Sequence, residues 1–192
     1  NLLALYDGST KWTVYPFTEI SLALTVTSGK NYDVYVYDNA GTPTLELSAA
    51  WTTDTARADA FALQDGVAVK SGTTTRRLVG TIRASAANVT EDSAAKRWVA
   101  NVYPNTVRRP MRVVEATDTW VYNTATFRQA NASTANQVDY LVSLSGPTVF
   151  VELIGMGRHA TAAAVAFSVG IGDDSTTVPA TGSIFGRQSF QV

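Results

Sequence analysis

Hydrophobic and polar residues alternate with a period of two along most of the chain, a pattern that predicts β-strands. The clearest case is residues 20–27, where isoleucine, leucine or valine fills every even position and serine, alanine or threonine every odd one. Leu3 and Leu5 alternate with small residues before a polar turn at 7–11, and Trp12 and Val14 resume the alternation after it. These two segments predict a hairpin whose first strand begins at the start of the chain.

Turns rich in glycine, asparagine and proline at 28–31 and 39–43 set off two further predicted strands, 32–37 and 45–47. The remaining predicted strands are Val67 to Lys70, Leu78 to Arg83, Arg112 to Glu115, Thr119 to Asn123, Val138 to Leu144, Val149 to Met156 and Val165 to Ile171. Many short strands separated by turns indicate an all-β fold, a sandwich or barrel, and not βαβ units.

Two stretches leave alternatives open. Residues 52–66 are rich in Ala, Asp and Thr, and we interpret them as a loop around a short strand. Residues 90–103 fit a helical turn by their near-helical apolar spacing, but they also place Trp98, Ala100 and Val102 on one face of a strand. The small polar residues around 85–95 are typical of a linker or long loop. We therefore predict two consecutive β modules, 1–84 and 96–192, joined by 85–95.

Composition narrows the function. The chain has 192 residues, of which only 16% are charged, against roughly 25% in an ordinary soluble domain. Its net charge of −1 gives no overall attraction to nucleic acid or to an anionic membrane. No apolar run approaches the roughly 18 residues that a membrane helix needs. Cysteine is absent, which excludes disulfides and thiolate metal sites.

Candidate catalytic motifs are weak. Ser93 and Lys96 match S-x-x-K, but the K-T-G-like element precedes this motif instead of following it. His159 is the only histidine and has no G-x-S-x-G partner. Asp173 and Asp174 are adjacent in a glycine-rich turn, where a solvated turn is the default and a metal site the minor alternative. We therefore predict no enzymatic activity, no cofactor and no metal.

Two short basic clusters occur, at Arg76-Arg77 and at 108–112. A nucleic-acid surface would need more positive charge gathered on one face, so these clusters predict turn or interface residues. The aromatic residues are more informative, because planar rings suit saccharide faces and subunit interfaces. The candidate ligand or interface contacts, with ordinary core packing as the alternative, are Tyr35, Tyr37, Trp51, Trp120 and Tyr122.

Several of these segments carry a family resemblance. Residues 17–21 (FTEIS) and 32–36 (YDVYV) resemble successive F-[ST]-E-x-[ST] and Y-D-V-[FY]-V strands of bacteriophage and prophage virion structural proteins. Downstream, residues 78–81 resemble a strand of that family ending in L-G-T, and 120–128 (WVYNTATFR) resemble its W-x-Y-x-T-A-T-[WF]-R strand. The stretch NVYPNTV at 101–107 departs from the family's usual pattern, which is closer to NYYNRV.

The resemblance implies a non-enzymatic virion protein and a second module that is jelly-roll-like. The expected role is a fibre, spike or tail-tip component that contributes to host attachment. A head decoration or head-fibre protein that binds the capsid is the alternative, and a glycan-cleaving tailspike domain is disfavoured. The implied partners are other virion proteins and a host-surface glycan, without nucleic acid or membrane insertion. The resemblance also implies that the chain is an internal segment of a longer protein.

Self-association is the last expectation. Apart from Glu152, residues 149–156 and 164–169 carry apolar or small side chains on both strand faces, whereas a strand half-exposed in a monomer is polar on one side. The second face must be covered, and low surface charge favours a neighbouring subunit over the chain's own connections. We expect a closed homo-oligomer, for which the resemblance implies a trimer.

Overall fold

Thirteen strands and one short 3-10 turn make up the regular structure of the described residues. The computed structural model describes residues 1–103, 111–117, 120–122, 124, 126–144, 152, 166–173, 175–181 and 184–189. The chain divides into two compact units, the first comprising Asn1–Arg112 with Val138–Pro147 and the second Val113–Gln137 with Thr148–Val192. The all-β fold class predicted from the sequence is confirmed.

Eleven strands lie in the first unit. In chain order they are β1 (Leu2–Tyr6), β2 (Trp12–Pro16), β3 (Asn31–Asn39), β4 (Thr42–Leu47), β5 (Phe61–Gln64), β6 (Val67–Lys70), β7 (Thr73–Ala86), β8 (Val89–Thr90), β9 (Lys96–Arg97), β10 (Val99–Asn101) and β11 (Asp139–Tyr140).

The large sheet of this unit is built around β7. Its seven strands run in the order β4-β3-β7-β6-β5, with β8 and β10 also paired to β7. All of these pairings are antiparallel. Outside the sheet, β1 and β2 form the predicted hairpin, and β11 pairs in parallel with β9. The predicted linker 85–95 contains β8, which pairs with β7. The first compact unit extends to Arg112 and includes Val138–Pro147, so the compact units differ in their bounds from the predicted modules 1–84 and 96–192.

A bulge in β7 sets which side chains share a face of the sheet. Val34 pairs with Gly80 but Tyr35 pairs with Leu78, so Val79 has no partner on β3. Directly opposed residues point to the same side, and successive residues of β3 alternate. We call the side carrying Tyr32, Val34 and Val36 the apolar face, and the side carrying Asp33, Tyr35 and Tyr37 the Asp33 face.

The apolar face holds a core cluster formed by Val26, Tyr32, Ile82 and Ala84. The β1–β2 hairpin joins the sheet at Arg77, which donates from Nη1 to the carbonyl oxygen of Ala4 at 2.7 Å. The hairpin turn requires glycine at position 8, where φ is +85° and a Cβ would lie 2.9 Å from a methyl carbon of Thr75.

Residues 20–27, the clearest predicted strand, are not part of any sheet. The alternation itself is confirmed, because the even positions are half-buried or buried and the odd positions are exposed. Hydrogen bonds to residues outside any paired strand partner fix the end of the segment, including one from the Asn88 backbone amide to the Val26 carbonyl at 3.0 Å. Val26 bonds from its backbone to the Asn88 amide oxygen at 3.1 Å, and Thr27 to the Tyr32 hydroxyl at 2.9 Å. The prediction of a paired strand here is therefore wrong.

The structure can also be compared with the predictions for several other segments. Residues 90–103 contain β9 and β10 and no helical turn, so the strand alternative is correct. The described parts of the predicted strands 112–115 and 119–123 form no strand, and only Asp139–Tyr140 of 138–144 does so. The predicted strand 149–156, apart from residue 152, lies outside the described residues.

The second unit contains β12 (Ala166–Gly170), β13 (Ile184–Ser189) and a 3-10 turn, Ala130–Ala132. The two strands pair antiparallel, with a register shift between Phe167 and Val169. Glu115 organises the segment before them, since its carboxylate accepts hydrogen bonds from Asn136 and from the Thr117 backbone. The Asn136 bond is the main reason that the pKa of Glu115 falls to about 2.

Candidate functional site

Three of the five candidate aromatic residues lie on the Asp33 face of the first unit. Tyr35 is fully buried and packs against Ala68 and Leu78. Its hydroxyl is buried and has no hydrogen-bond partner among the described residues. Burial, and then the nearby Asp33 carboxylate, raises the pKa of Tyr35. Tyr35 is thus a core residue and presents no surface to a ligand.

Tyr37 is half-buried, and an arginine lies against its ring. The Arg76 guanidinium carbon lies 4.0 Å from the ring centroid, and Arg76 Nε donates to Glu46 at 3.1 Å. One face of this ring is therefore occupied by a cation that the chain itself supplies. Arg76, predicted as a turn or interface residue, lies within β7 and forms this internal contact.

Trp51 belongs to a buried polar centre around Asp33. The indole Nε1 donates to Asp33 Oδ2 at 3.1 Å, while Thr81 Oγ1 donates to Oδ1 at 2.8 Å. Arg57 forms an ion pair with Oδ1, and its guanidinium carbon also lies 4.6 Å from the centroid of the Trp51 ring. Thr81 Oγ1 donates its single hydroxyl proton to Asp33. In the 2.7 Å hydrogen bond between the Thr81 and Ser143 hydroxyls, Ser143 is therefore the donor.

This centre is structural in its chemistry. Asp33 has no exposed surface, and three side chains donate to its two oxygens. Burial is the largest influence and raises its pKa, although Thr81, Arg57 and Trp51 each act to lower it. A carboxylate surrounded in this way is held in place by its donors and does not face a cleft from which it could exchange protons with a substrate.

The other two candidates form an exposed cluster in the second unit. Trp120 is 41% exposed, Tyr122 37% and the intervening Val121 83%. The Arg128 guanidinium carbon lies 4.1 Å from the Tyr122 ring centroid and 5.9 Å from that of Trp120. The Tyr122 hydroxyl donates to the backbone carbonyl of Thr126, which fixes the ring. We call Trp120, Val121, Tyr122 and Arg128 the aromatic patch.

The weak catalytic motifs form ordinary local contacts where they are described. Ser93 Oγ donates to Glu91 at 2.7 Å, and Lys96 Nζ lies 3.6 Å from the other oxygen of that carboxylate. Both partners of S-x-x-K are therefore engaged with Glu91. His159, Asp174, Arg108 and Arg109 lie outside the described residues. Within the described ranges, no three His, Cys, Asp or Glu residues gather as a metal site.

The sequence interpretation missed two features of these sites. It placed Asp33 on the polar side of a strand but did not identify Arg57, Thr81 and Ser143 as its partners. The available signal was an aspartate in mid-strand of a chain with few charges. It also missed Arg128 as the residue that joins the two exposed aromatics, although Arg128 ends the motif that begins at Trp120.

Comparison with protein-family models, with curated proteins and with solved structures finds no significant match for this chain. Among the residues that the structure describes, there is no helix whose length and hydrophobicity would let it cross a membrane.

Proposed function

We propose that this chain is a non-enzymatic structural component of a bacteriophage or phage-like particle, in a fibre, spike or tail tip, and that it contributes to host attachment. The aromatic patch is the observation that carries the proposal. It exposes two large rings beside a very exposed valine, in a chain whose surface is otherwise poor in charge. The residues of the patch also lie in the segment that resembles virion proteins.

The chemistry of the patch fits a saccharide of the host surface. A sugar ring presents C–H groups that pack on an aromatic face, and its hydroxyls bond to neutral groups nearby. Arg128 steadies the rings and adds one donor group, so the patch also suits a glycan with an occasional carboxylate or phosphate. Aromatic residues and arginine are the types that dominate binding energy at interfaces.

We further propose that the working unit is a homo-oligomer within the virion, with three-fold symmetry as in the family resembled. Repetition of a weak site strengthens attachment, since each copy after the first binds at a high effective concentration. A particle component of this kind contacts other virion proteins as well as the host surface.

Binding of the fluorescently labelled chain to immobilised capsular polysaccharide, lipopolysaccharide and teichoic acid would test the proposal. We expect Trp120→Ala or Tyr122→Ala to weaken binding about tenfold, the effect of losing about 1.4 kcal/mol of contact. Tyr140→Ala is the matched control, because Tyr140 is 44% exposed but lies in the first unit. Affinity should change little between low and moderate salt, since the contact is not dominated by phosphate.

Three outcomes would contradict host attachment. The first is binding to empty capsids and not to any glycan, which would favour the head-decoration alternative. The second is cleavage of a glycan, which would make the chain an enzyme. The third is an equal loss of binding in the Tyr140 control, which would separate attachment from the aromatic patch.

A further inference from the structure

Residues 19–25 have the side-chain pattern of a strand but none of its backbone pairing. Within the described part of the chain, no hydrogen bond joins their backbone amide or carbonyl groups to another residue. Their positions are fixed nonetheless, because Leu24 packs against the core cluster of the apolar face. Buried backbone groups are almost always paired, so these unpaired groups must reach solvent.

The outer strands of the large sheet show how this chain protects its other edges. β4 carries Pro43, which lacks an amide proton and so cannot donate to an added strand. β5 has only four residues. Residues 20–25, by contrast, contain neither proline nor a charged residue. An extended, neutral and unpaired segment is the usual acceptor for an added strand.

We propose that residues 19–25 pair antiparallel with the same residues of a second copy of this chain. The unpaired stretch is bounded by residues that already have partners. The carbonyl of Thr18 accepts from the Asn1 side chain, and the backbone of Val26 bonds to Asn88. The stretch is therefore centred on Leu22, and two copies paired about Leu22 would bond through the amide and carbonyl groups of alternate residues, those that point to the shared edge.

The side chains are complementary in this register. Leu22 faces its own copy and Ile20 faces Leu24, so the half-buried apolar side continues across the two-fold axis. On the exposed side, Ser21 faces Ala23, and Glu19 faces the uncharged Thr25. A parallel in-register pair would instead place Glu19 against Glu19, a like-charge contact that destabilises a sheet. Charge and pattern thus favour the antiparallel self-pair over a parallel one.

This contact is isologous and joins chains two at a time, so it is separate from the three-fold contact proposed above. Sedimentation equilibrium of the chain should give twice the monomer mass of 20.5 kDa, or an even multiple if a three-fold contact also forms. A monomer, or a trimer alone, would overturn the strand pairing. Neither result would affect the host-attachment proposal, whose test measures glycan binding.

Thr25→Glu and Thr25→Lys test the register directly. Both change an exposed side chain, so the fold should be retained. Each antiparallel pair contains the 19–25 contact twice. Thr25→Glu should therefore raise the dissociation constant about fivefold and Thr25→Lys should lower it by a similar factor. A parallel pair would be weakened by both substitutions, so equal weakening would overturn the proposal.

Thr42→Glu and Thr42→Lys provide the matched control, because Thr42 is exposed at the start of the β4 edge. These variants should leave the dissociation constant unchanged, and an effect equal to that at Thr25 would place the contact elsewhere. Hydrogen exchange gives a second measurement that does not depend on substitutions. Alternate amides of 19–25, those that point to the partner strand, should be protected in concentrated solution and exchange rapidly on dilution, and rapid exchange of all of them at both concentrations would contradict the pairing.

Discussion

The two faces of the large sheet are held by different forces. On the apolar face, Tyr32, Ile82 and Ala84 pack with Val26 in a cluster of hydrocarbon and one aromatic ring. On the Asp33 face, a buried carboxylate binds an arginine, an indole and a threonine, and through Thr81 it reaches Ser143. Both faces hold fully buried residues, but only the Asp33 face depends on partners that must all be present together.

The difference between the two faces shows how a chain with few charged residues uses one of them, Asp33, inside the fold. Apolar packing loses stability in proportion to the atoms removed and tolerates small changes of shape. A buried charge is costly unless it is fully paired, so loss of any partner has a large effect. The Asp33 centre therefore fixes three sequence-distant segments, 51–57, β7 and the segment around Ser143, in one arrangement.

The largest expected effect comes from Asp33→Ala. This change leaves the Arg57 guanidinium, only 13% exposed, without its carboxylate. The free energy of unfolding should fall by about 3–5 kcal/mol, as measured by urea denaturation. The matched control is Asp54→Ala, because Asp54 pairs with Arg83 but is 71% exposed. That variant should lose no more than about 1 kcal/mol, and equal losses in the two variants would show that burial of Asp33 is not what matters.

Thr81→Val gives a smaller effect on the same face. The shape is kept, but Asp33 loses one donor and Ser143 loses its acceptor, so unfolding should become easier by about 1–3 kcal/mol. Thr81→Ser keeps the hydroxyl and removes one methyl group, and it should cost about 1 kcal/mol. If Thr81→Ser destabilised the chain more than Thr81→Val in the same urea titration, packing and not the hydroxyl would hold this position.

The smallest expected effect is a dependence on pH that only the Asp33 face shows. Burial raises the pKa of Asp33 above its ordinary 3.8, so the folded chain keeps this proton to a higher pH than the unfolded chain. The contribution of Asp33 to stability therefore falls as pH rises from 3.8 through the raised pKa, and is constant above it. Asp33→Asn cannot titrate, so the stability of the wild type minus that of the variant should decrease across this window.

Ile82→Val is the control from the apolar face for the same urea titrations. It should cost about 1 kcal/mol at every pH, because no titrating group is removed. A difference between wild type and Asp33→Asn that stayed constant, or grew with pH, would contradict the direction assigned to Asp33.

The alternation of apolar and polar residues predicted those strands that show it clearly in their own sequence. The strand at 67–70 has the predicted bounds, and β3 extends the prediction of 32–37 by a few residues. The first half of β7, residues 73–77, was missed because Thr and Arg there give no apolar alternation. Its strand conformation comes from pairing with β3 and β6. Residues 20–27 show the reverse case, since alternation reports burial and cannot report whether a neighbouring strand is present.

The candidate site was only partly predictable for a related reason. The alternation correctly placed Tyr35 and Tyr37 on the side opposite the aliphatic residues of β3. It could not show whether that side meets solvent, because the residues that cover it, such as Arg57 and Ser143, are remote in sequence. Trp120 and Tyr122 were the two candidates that are exposed. The sequence between them and Arg128 is too short to show a regular apolar period, so it could not predict that Arg128 lies beside their rings.

Val79 is the extra residue of the β7 bulge: it has no partner on β3, although its carbonyl accepts a hydrogen bond from the Val102 amide at 3.0 Å. Because of this extra residue, Leu78 and Thr81 lie on the same face of the sheet, although regular alternation would place them on opposite faces. Deleting Val79 would leave a regular ladder in which Leu78 still opposes Tyr35 and Gly80 still opposes Val34, so the side chains on both sides of the bulge would keep their faces. The same deletion in the regular part of β7 would turn the side chains beyond it to the opposite face. The bulge is therefore the position at which the pairing of β7 with β3 accepts the loss of one residue.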